Sequence, residues 1–408
     1  MDRNNLAYGM KIITIFGTRP EAIKMAPLVK LLGKAPGLSS VVCVTGQHRQ
    51  MLDQVIDLFG LPVHHDLAIM SAGQTLTDVT TRILDRLTEV FRTEKPDWVL
   101  VHGDTTTALA ASLAAFYAGV RIGHVEAGLR SHDLSRPWPE EINRCLVDRM
   151  ADVMFAPTET SRQNLLAEGA DPERVIVTGN TVIDALLDVC GRLREDEALR
   201  ASIEAQFPFL LSTRRMVLVT GHRRESFGGG FEDICHALSD LSDRGDVEIV
   251  YPVHLNPQVQ EPVSRILGGC PGVHLIDPQP YLQFVHLMMR SHIILTDSGG
   301  VQEEAPSLGK PVLVMRDVTE RPEAVAAGTV ELVGANCDTI VSAVSALLDQ
   351  PQRYAAFARA HNPYGDGEAS RRIVEAMEAV ALSPLPFGQR LKPGAFGSVF
   401  PGFAAIER

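Results

Sequence analysis

Residues 98–127 read WVLVHGDTTTALAASLAAFYAGVRIGHVEA, an apolar run, an alanine-rich segment and a second apolar run. The two apolar runs contain β-branched residues, and the segment between them has the composition and length of a helix. A strand, a helix and a second strand in this order form the crossover unit of a parallel sheet. The stretch therefore predicts an α/β fold.

The same alternation continues on both sides of this stretch. Up to Gly179 the other apolar runs are KIITIFG, SVVCVTG, VMFAP and VIVTG, and after it they are MVLVTG, VEIVYPV, VHLIDP, IILTDSG and PVLVMR. Helical patterns separate the runs, which is typical of doubly wound parallel sheets. A helical, charge-rich segment at about 184–206 lies between the two series. We therefore predict two doubly wound, Rossmann-like domains that face a central cleft.

The predicted domain boundaries follow from these two series. The first domain covers residues 1–180 and carries the acidic positions described below, and the second covers residues 181–366. We expect an amphipathic helix at 367–382 to complete the first domain. Residues 383–408 contain many proline and glycine residues without a stable period, so we expect a flexible tail there.

Composition restricts the class of protein. The chain has 408 residues, of which 45% are apolar and 22% charged, which is enough for two hydrophobic cores. A formal charge of -12 argues against binding to nucleic acid or to an anionic membrane, so an anionic ligand must be bound in a local pocket. The 6 cysteines are scattered with no CxxC pair, and the apolar run 12–16 is too short to cross a membrane. We expect a cytoplasmic protein without membrane insertion.

Acidic residues follow two strands and open one helix in the first predicted domain. Asp104 follows the run that begins at Trp98, Glu126 ends the next run, and Glu140 opens a helix after a Pro-Trp-Pro turn. Each of them alone is most simply a helix cap or a solvated surface charge. Because open α/β sheets bind ligands at the carboxyl ends of their strands, the combination predicts carboxylates that converge on one crevice for proton transfer.

The first strand ends in FGTRPEAIKMAP, which places cations at the start of a helix. Arg19 and Lys24 lie near the positive end of that helix, so the loop is a candidate anion site. The alternative for Lys24 is an ordinary ion pair with a neighbouring glutamate. The segment is neither a GxGxxG dinucleotide fingerprint nor a GxxxxGK[ST] phosphate loop.

The second predicted domain offers a histidine-arginine cluster and a glycine-rich turn. His222 and Arg223 stand in GHRRESFGGG, where histidine can exchange a proton near neutral pH and arginine can bind phosphate through two hydrogen bonds. Further on, TDSGGVQEE places Ser298, Gly299 and Gly300 between a strand and a short helix, where backbone N–H groups can approach a diphosphate.

Neighbouring residues extend this candidate nucleotide site. Glu304 could accept hydrogen bonds from ribose hydroxyls, Arg321 could bind phosphate, and Phe284 could pack on a base, although an aromatic residue at helical spacing is more often part of a core. A metal site is not expected, because His222 and His254 lack ligand spacing and no HExxH or DxDxDG motif occurs.

Several of these motifs together resemble the non-hydrolysing UDP-N-acetylglucosamine 2-epimerase family. The matching motifs are FGTRPEAIK, HGDTTT, HVEAGLRS, PEEINR, GHRRESFG and TDSGGVQEEAPSLGKPVLVMRDVTERPE, and the resemblance extends from about Lys11 to about Leu382. It implies a GT-B-like two-domain fold, a homodimer, and interconversion of UDP-N-acetylglucosamine and UDP-N-acetylmannosamine for cell-surface polysaccharide synthesis. It also implies that neither a metal nor a nicotinamide cofactor is required.

The chemistry that the resemblance implies starts from a proton on sugar carbon 2 that is not acidic. A base removes this proton while UDP leaves carbon 1, which gives a bound 2-acetamidoglucal, and a proton then reaches the opposite face as UDP adds again. The residues that match the family's catalytic positions are Asp104, Glu126, Glu140, Lys24 and His222. The sequence does not assign a face to each carboxylate, and Lys24 and His222 are expected to assist the departing diphosphate.

Matches to the family's binding positions fall into two groups. Those implied for the UDP-sugar, besides Lys24, Asp104, Glu126 and His222, are Arg19, Phe284, Ser298, Gly299, Gly300, Glu304 and Arg321. Some members also bind a second substrate molecule as an activator, and the matching residues here are Gln47, His48, Gln50, Arg223 and His254. Where those members carry an arginine shortly before the QTL segment, this chain has Gly73, so we expect weaker activation.

Three other functions remain open at this point. A hydrolysing epimerase would release free N-acetylmannosamine, although the kinase-like half of the bifunctional form does not follow here. A GT-B-type UDP-sugar glycosyltransferase would share the fold and the UDP site but would not exchange the carbon 2 proton with solvent. A non-catalytic UDP-sugar sensor would not need the carboxylates together with His222.

Overall fold

A computed structural model describes residues 9–46, 49–71, 73–211 and 213–382. The chain divides into two units. The first unit holds the described residues up to Ala185 and those from Tyr364 on, and the second runs from Leu186 to Pro363. Each unit is built around its own parallel sheet.

Strands and helices alternate in the first unit. Its elements are β1 (Met10–Phe16), α1 (Arg19–Leu32), β2 (Leu38–Val44), α2 (Arg49–Phe59), β3 (His65–Asp66), α3 (Leu76–Glu94), β4 (Trp98–His102), α4 (Thr106–Tyr117), β5 (Arg121–Val125), α5 (Glu140–Met150), β6 (Val153–Ala156), α6 (Glu159–Ala167), β7 (Val175–Val177) and α7 (Thr181–Glu195), which continues into the second unit. The strands pair in parallel in the order β3-β2-β1-β4-β5-β6-β7. Strand β4 is buried over its whole length, as expected for a parallel sheet with both faces covered.

The strand order of this sheet reverses between β1 and β4. In doubly wound folds the loops after two such strands lead away in opposite directions and leave a crevice at their carboxyl ends, where ligands bind. Strand β1 is followed by Gly17, Thr18 and Arg19, and β4 is followed by Gly103 and Asp104. The predicted anion loop and the first predicted carboxylate are therefore neighbours at this switch point.

The second unit repeats the design. Its elements are α8 (Glu197–Glu204), β8 (Arg215–Thr220), α9 (Gly229–Ser242), β9 (Val247–Pro252), α10 (Pro257–Leu267), β10 (Val273–Ile276), α11 (Tyr281–Arg290), β11 (Ile293–Thr296), α12 (Gly299–Glu304), β12 (Val312–Val314), α13 (Pro322–Ala326), β13 (Val330–Leu332), α14 (Cys337–Asp349) and α15 (Pro351–Arg359). The parallel strand order is β10-β9-β8-β11-β12-β13, so the reversal lies between β8 and β11. His222 follows β8 and Ser298 follows β11, which places both at the second switch point.

Two edge strands were not among the runs selected from the sequence. Strand β3 has 2 residues and β13 has 3, and each pairs along only one side at the edge of its sheet. Segments this short carry too few residues to show a periodic pattern, so the sequence gives little warning of them. The apolar runs that the sequence analysis did select all contain strands of the two sheets.

Threonine side chains begin several helices directly after strands of the first unit. Thr18, Thr105 and Thr158 each accept a hydrogen bond from the backbone N–H three residues further on, which satisfies a donor in the first helical turn. Within the described ranges, no helix combines the length and the apolar composition that crossing a membrane requires.

The last described helix, α16 (Ala369–Leu382), returns to the first unit and packs on α1. Its start is capped by Asp184 of α7, whose carboxylate accepts the backbone N–H groups of Ser370 at 2.7 Å and Ala369 at 3.3 Å. Because these donors are buried, the cap replaces hydrogen bonds that water cannot supply. The cap therefore fastens the returning chain to α7.

Replacing the capping side chain by Asp184→Ala is expected to lower the free energy of unfolding of the first unit by about 1–2 kcal/mol, because two buried N–H groups lose their acceptor. Both tryptophans, Trp98 and Trp138, lie in this unit, so urea unfolding followed by tryptophan fluorescence measures the change. The control Glu89→Ala removes an exposed ion pair with Arg92 and is expected to change little. Equal losses of unfolding free energy in Asp184→Ala and Glu89→Ala would contradict the role of Asp184 as a stabilising cap.

Candidate active site

A buried glutamate fixes the loop after β1. Glu21 accepts the backbone N–H groups of Gly17 at 3.0 Å and Thr18 at 2.8 Å with one carboxylate oxygen. Its other oxygen accepts the hydroxyl of Thr105 at 2.7 Å. Burial raises the pKa of Glu21, while these hydrogen bonds favour the carboxylate form. Because Thr105 follows Asp104, this one side chain connects the loops after β1 and β4.

The predicted anion ligand Arg19 is the first residue of α1. Its side chain is half-buried, and burial lowers the pKa of its guanidinium. None of the hydrogen bonds or ion pairs among the described residues involves this guanidinium. A half-buried cation at a helix start favours an anionic ligand, which would satisfy its donors.

The carboxylate of Glu126 lies directly after β5 in a left-handed backbone conformation, with a φ of 67°. The ammonium of Lys24 forms an ion pair with its Oε2 atom, and the side-chain amide of Asn180 donates to the same oxygen at 2.7 Å. Atom Nε2 of His102 lies 3.7 Å from this oxygen, and burial lowers the pKa of His102 to about 3, so the ring is neutral at pH 7. The structure thus brings two predicted catalytic residues, Lys24 and Glu126, into direct contact.

The side chain of Asp104 lies in the turn after β4 and remains 25% exposed. Arg144 of α5 donates its Nε to Asp104 Oδ2 at 3.1 Å and forms a second, shorter bond to the same atom through Nη2. Asn143 of the same helix donates its amide to the main-chain carbonyl of Asp104 at 2.8 Å. Helix α5 therefore orients this carboxylate while leaving part of it accessible to a ligand.

The acidic pair that opens α5 divides into one structural and one accessible residue. Glu141 is buried, and its carboxylate accepts the backbone N–H groups of Ser131 at 2.9 Å and His132 at 3.1 Å. It also accepts a hydrogen bond from Arg144 at 2.9 Å. Glu140, the predicted catalytic member of the pair, is half-buried at the first position of the helix. A ligand can therefore reach Glu140 more easily than Glu141.

A buried histidine supports the turn that carries Asp104. His124 of β5 is fully buried, with its Nε2 2.7 Å from the carbonyl oxygen of Gly103 and its Nδ1 2.6 Å from Asp148. Burial opposes ionisation of Asp148, but His124 and an ion pair with Arg130 at 2.8 Å lower its pKa. The turn at Gly103, with a φ of 62°, is thereby tied to a charged group inside the unit.

In the second unit, Asp297 joins the loops after β8 and β11. Its Oδ2 atom accepts the backbone N–H groups of His222 at 2.6 Å and Arg223 at 2.7 Å. The Nδ1 atom of His222 lies 3.2 Å from Oδ1 of the same carboxylate. Burial opposes ionisation of Asp297, but the His222 ring and the two N–H groups lower its pKa. The predicted catalytic histidine is therefore positioned by a buried carboxylate, while its own side chain is 42% exposed.

Two predicted nucleotide ligands also have fixed partners within the second unit. Tyr281 donates its hydroxyl to Glu304 Oε1 at 2.6 Å, and burial raises the pKa of this tyrosine well above its ordinary value, so it stays a neutral donor. Arg321 donates its Nε to Glu303, whose side chain is 1% exposed. These contacts fix the orientation of Glu304 and of the Arg321 guanidinium before any ligand arrives.

The glycine-rich turn lies beside these residues in the same unit. Ser298 is the residue before α12, Gly299 is the first residue of the helix, and Gly300 follows as a half-buried residue. An ideal Cβ atom at Gly299 would lie 3.9 Å from an Nη2 atom of Arg321, which places the turn next to that guanidinium. Phe284, half-buried in α11, belongs to the helix that also carries Tyr281.

Of the residues matched to an activator site, those in the second unit lie around His222. Arg223 donates to Glu320 at 3.1 Å. The ring of His254 stacks on that of His222, with 5.4 Å between ring centroids, and burial lowers the pKa of His254. An activator site that includes Arg223 and His254 would therefore lie directly beside the predicted catalytic histidine, His222.

The activator residues of the first unit are described only in part. Gln47 and His48 lie outside the described residues, and Gln50 lies in α2 with a side chain that is not described. Gly73 has a φ of 70°, and a side chain at this position would meet open space. A bulky residue would therefore fit there sterically but would carry backbone strain.

Some residues that the sequence analysis did not select contact predicted site residues, and Arg144, Asn180 and Asp297 are examples. Neither Arg144 nor Asn180 has a spacing that marks it, because their partners lie 40 and 54 positions away in the chain. Only Asp297 carried a signal, as an acidic residue directly after a strand. Among the described residues, no group of three or more His, Cys, Asp and Glu side chains is arranged to hold a metal ion.

Two doubly wound units with polar and charged groups at their switch points define a GT-B-like α/β protein. The model of the family described as UDP-N-acetylglucosamine 2-epimerase matches residues 30–378. The chain is also 60% identical to UDP-N-acetylglucosamine 2-epimerase of Escherichia coli K12 over 375 residues, which cover 92% of this chain and 100% of the relative. The protein therefore belongs to the UDP-N-acetylglucosamine 2-epimerase family.

Solved structures agree with this assignment. The crystal structure of UDP-GlcNAc 2-epimerase from Neisseria meningitidis bound to UDP-GlcNAc is 52% identical, with a TM-score of 0.85, and the match covers 90% of this chain and 100% of the other. A Staphylococcus aureus MnaA-UDP co-structure is 46% identical, with a TM-score of 0.82, and the match covers 92% of this chain and 98% of the other.

The hydrogen bonds that Asp297 accepts predict that replacing this residue speeds hydrogen exchange of the bonded N–H groups, by an amount that depends on pH. In Asp297→Asn, hydrogen exchange of the backbone N–H groups of His222 and Arg223, measured by mass spectrometry at pH 7, is expected to accelerate about 10-fold because they lose a charged acceptor. The folded pKa of Asp297 lies below the ordinary value of 3.8, so its contribution is complete above that value and is lost as the pH falls through the folded pKa. The difference from wild type should therefore shrink in acid. A difference that is absent at pH 7, or that the control Asp243→Asn reproduces, would contradict this role.

Proposed function

We propose that this protein is a non-hydrolysing epimerase, an isomerase that interconverts UDP-N-acetylglucosamine and UDP-N-acetylmannosamine. The observation that carries the proposal is the pair of carboxylates Asp104 and Glu126, which follow the adjacent parallel strands β4 and β5 and are each held by a cation. Oriented carboxylates at neighbouring strand ends suit a reaction that removes a proton from one face of a carbon and returns one to the other. The relatives with bound UDP-GlcNAc and UDP support the same substrate.

In the proposed reaction a carboxylate removes the proton from carbon 2 of the sugar. The bond between carbon 1 and the phosphate oxygen breaks, and its electron pair leaves with UDP, which gives 2-acetamidoglucal. A carboxyl group then delivers a proton to the opposite face of carbon 2, and the UDP oxygen attacks carbon 1. Water is not consumed, so the product is the UDP-linked epimer rather than a free sugar.

Asp104, Glu126 and Glu140 are the proposed acid/base groups, with the choice of face left open among them. Lys24 and His222 are proposed to stabilise the negative charge that develops on the departing diphosphate. The ion pair between Lys24 and Glu126 supports the proposed role of Lys24. It places the ammonium beside a proposed acid/base group, where the ammonium can also attract the negative charge of the departing diphosphate.

The proposed ligands of UDP and of the sugar, beyond the catalytic groups, are Arg19, Phe284, Ser298, Gly299, Gly300, Glu304 and Arg321. The fixed orientation of Glu304 and Arg321 supports their assignment, since binding then costs little side-chain entropy. We assign the acid/base carboxylates to the first unit and most UDP contacts to the second. The protein is further proposed to be a cytoplasmic homodimer that needs no metal or nicotinamide and supplies cell-surface polysaccharide synthesis.

Carbon 2 should exchange its proton with solvent. NMR of the purified protein with UDP-N-acetylglucosamine in deuterated buffer, without metal or NAD, is expected to show deuterium at carbon 2 in a mixture of both UDP-linked epimers. Asp104→Asn and Glu126→Gln should each lower the exchange rate by about 100-fold or more, because one proton-transfer group is lost. Asp133→Asn, an exposed aspartate of the same unit, is the matched control and should keep the rate.

Each other outcome of this experiment identifies a different function. Free N-acetylmannosamine would indicate a hydrolysing epimerase. Unchanged substrate with saturable binding would indicate a sensor, and transfer of the sugar to an added acceptor without exchange would indicate a glycosyltransferase.

We also propose that a second substrate molecule activates the enzyme weakly at Gln47, His48, Gln50, Arg223 and His254, since Gly73 provides no cation there. In the reverse direction, UDP-N-acetylmannosamine alone should be converted slowly, and small amounts of added UDP-N-acetylglucosamine should raise the rate. Initial rates with and without this addition measure the effect. Strictly hyperbolic rates that do not respond to the addition would rule out activation.

A further inference from the structure

We propose that Asn180 is a positioning residue that holds the carboxylate of Glu126 in place for proton transfer. The inference rests on the proposed function, in which Glu126 is an acid/base group. The juxtaposition that carries it is the 2.7 Å hydrogen bond from Nδ2 of Asn180 to Oε2 of Glu126, two residues 54 positions apart in the chain.

The backbone around Asn180 fixes the direction of its amide. Asn180 is 2% exposed, and its Oδ1 atom accepts the backbone N–H of Val182 at 3.1 Å in the first turn of α7. Its own backbone N–H donates to the carbonyl of Tyr364 at 2.7 Å. Because the side-chain oxygen is engaged by a backbone donor, the amide nitrogen must face Glu126. The helix start thus determines which atom meets the carboxylate.

Glu126 needs such a partner because its backbone is strained. Its φ of 67° lies in the left-handed region, which a non-glycine residue keeps only where its surroundings hold it there. The titratable groups that reach its Oε2 atom include Lys24 of α1 and the neutral ring of His102 at the end of β4. An ammonium is a point charge on a flexible stem and does not select an orientation. The rigid, uncharged amide of Asn180 does, and it adds no charge to the site.

A structural role for Asn180 alone predicts a different result from a positioning role. Asn180 caps α7, and aspartate caps a helix as well as asparagine does. If the cap were the whole role, Asn180→Asp would restore what Asn180→Ala loses. Under the positioning role, aspartate instead places a second carboxylate against Glu126, which raises the pKa of that pair because two adjacent carboxylates resist ionising together.

The test measures carbon 2 exchange, kcat and KM across pH for Asn180→Ala and Asn180→Asp. Asn180→Ala is expected to lower kcat about 10- to 100-fold with KM nearly unchanged, because the acid/base group is misplaced while the UDP contacts remain. Asn180→Asp should be at least as slow at pH 7, and the acidic limb of its profile of kcat against pH should move to higher pH. The control Asn336→Asp changes an exposed helix cap with the same chemistry and should retain wild-type kinetics.

Wild-type kinetics in Asn180→Asp, or equal pH profiles in both variants, would overturn the proposal. A second measurement keeps this result separate from failure of the proposed function. The side-chain amide resonance of Asn180 in the wild-type protein should shift in Glu126→Gln, whether or not the protein epimerises its substrate. A resonance that does not respond would overturn the proposal, and a wild-type protein without carbon 2 exchange would overturn the proposed function instead.

Discussion

Buried carboxylates that connect neighbouring loops at strand ends are the interaction on which the candidate site residues of each unit depend. In the first unit Glu21 connects the loops after β1 and β4, and Asp148 holds His124 beneath the turn that carries Asp104. In the second unit Asp297 connects the loops after β8 and β11. A buried carboxylate is costly unless donors surround it, so each one fixes the loops that supply its donors. Residues that do not face the ligand thereby determine the positions of those that do.

The two units use this device for different purposes. In the first unit two acidic groups that follow strands are each oriented by a cation, with Arg144 on Asp104 and Lys24 on Glu126. In the second unit the accessible groups are histidine, arginine and a glycine-rich turn, which suit a diphosphate. Arg321 is held in the same way, because the buried carboxylate of Glu303 fixes its guanidinium. This cation is positioned locally although the protein as a whole carries a charge of -12. The cations predicted to meet an anionic ligand in this unit are therefore held locally, within a chain whose overall charge is negative.

The sequence predicts the architecture because parallel strands must be apolar throughout and recur with helices between them. It also selects Asp104, Glu126 and His222 as candidates, since a position directly after a strand can be recognised in the sequence alone. Arg144 and Asn180 are not visible, because a hydrogen bond between residues 40 or 54 positions apart leaves no pattern in the chain. The edge strands β3 and β13 are too short to show a period. Folding brings these residues together, so their contacts can be seen only in the three-dimensional structure.

In the proposed reaction the bond between the sugar and UDP breaks and forms again within each turnover. This breaking and re-forming of the bond is tested most directly with UDP-N-acetylglucosamine that carries oxygen-18 in the bridge between carbon 1 and the β-phosphate. We expect the label to move into the non-bridging positions of the β-phosphate, because the β-phosphate of the released UDP can rotate before UDP adds again. Epimer exchange with the label retained in the bridge would contradict elimination and require a mechanism in which UDP never leaves.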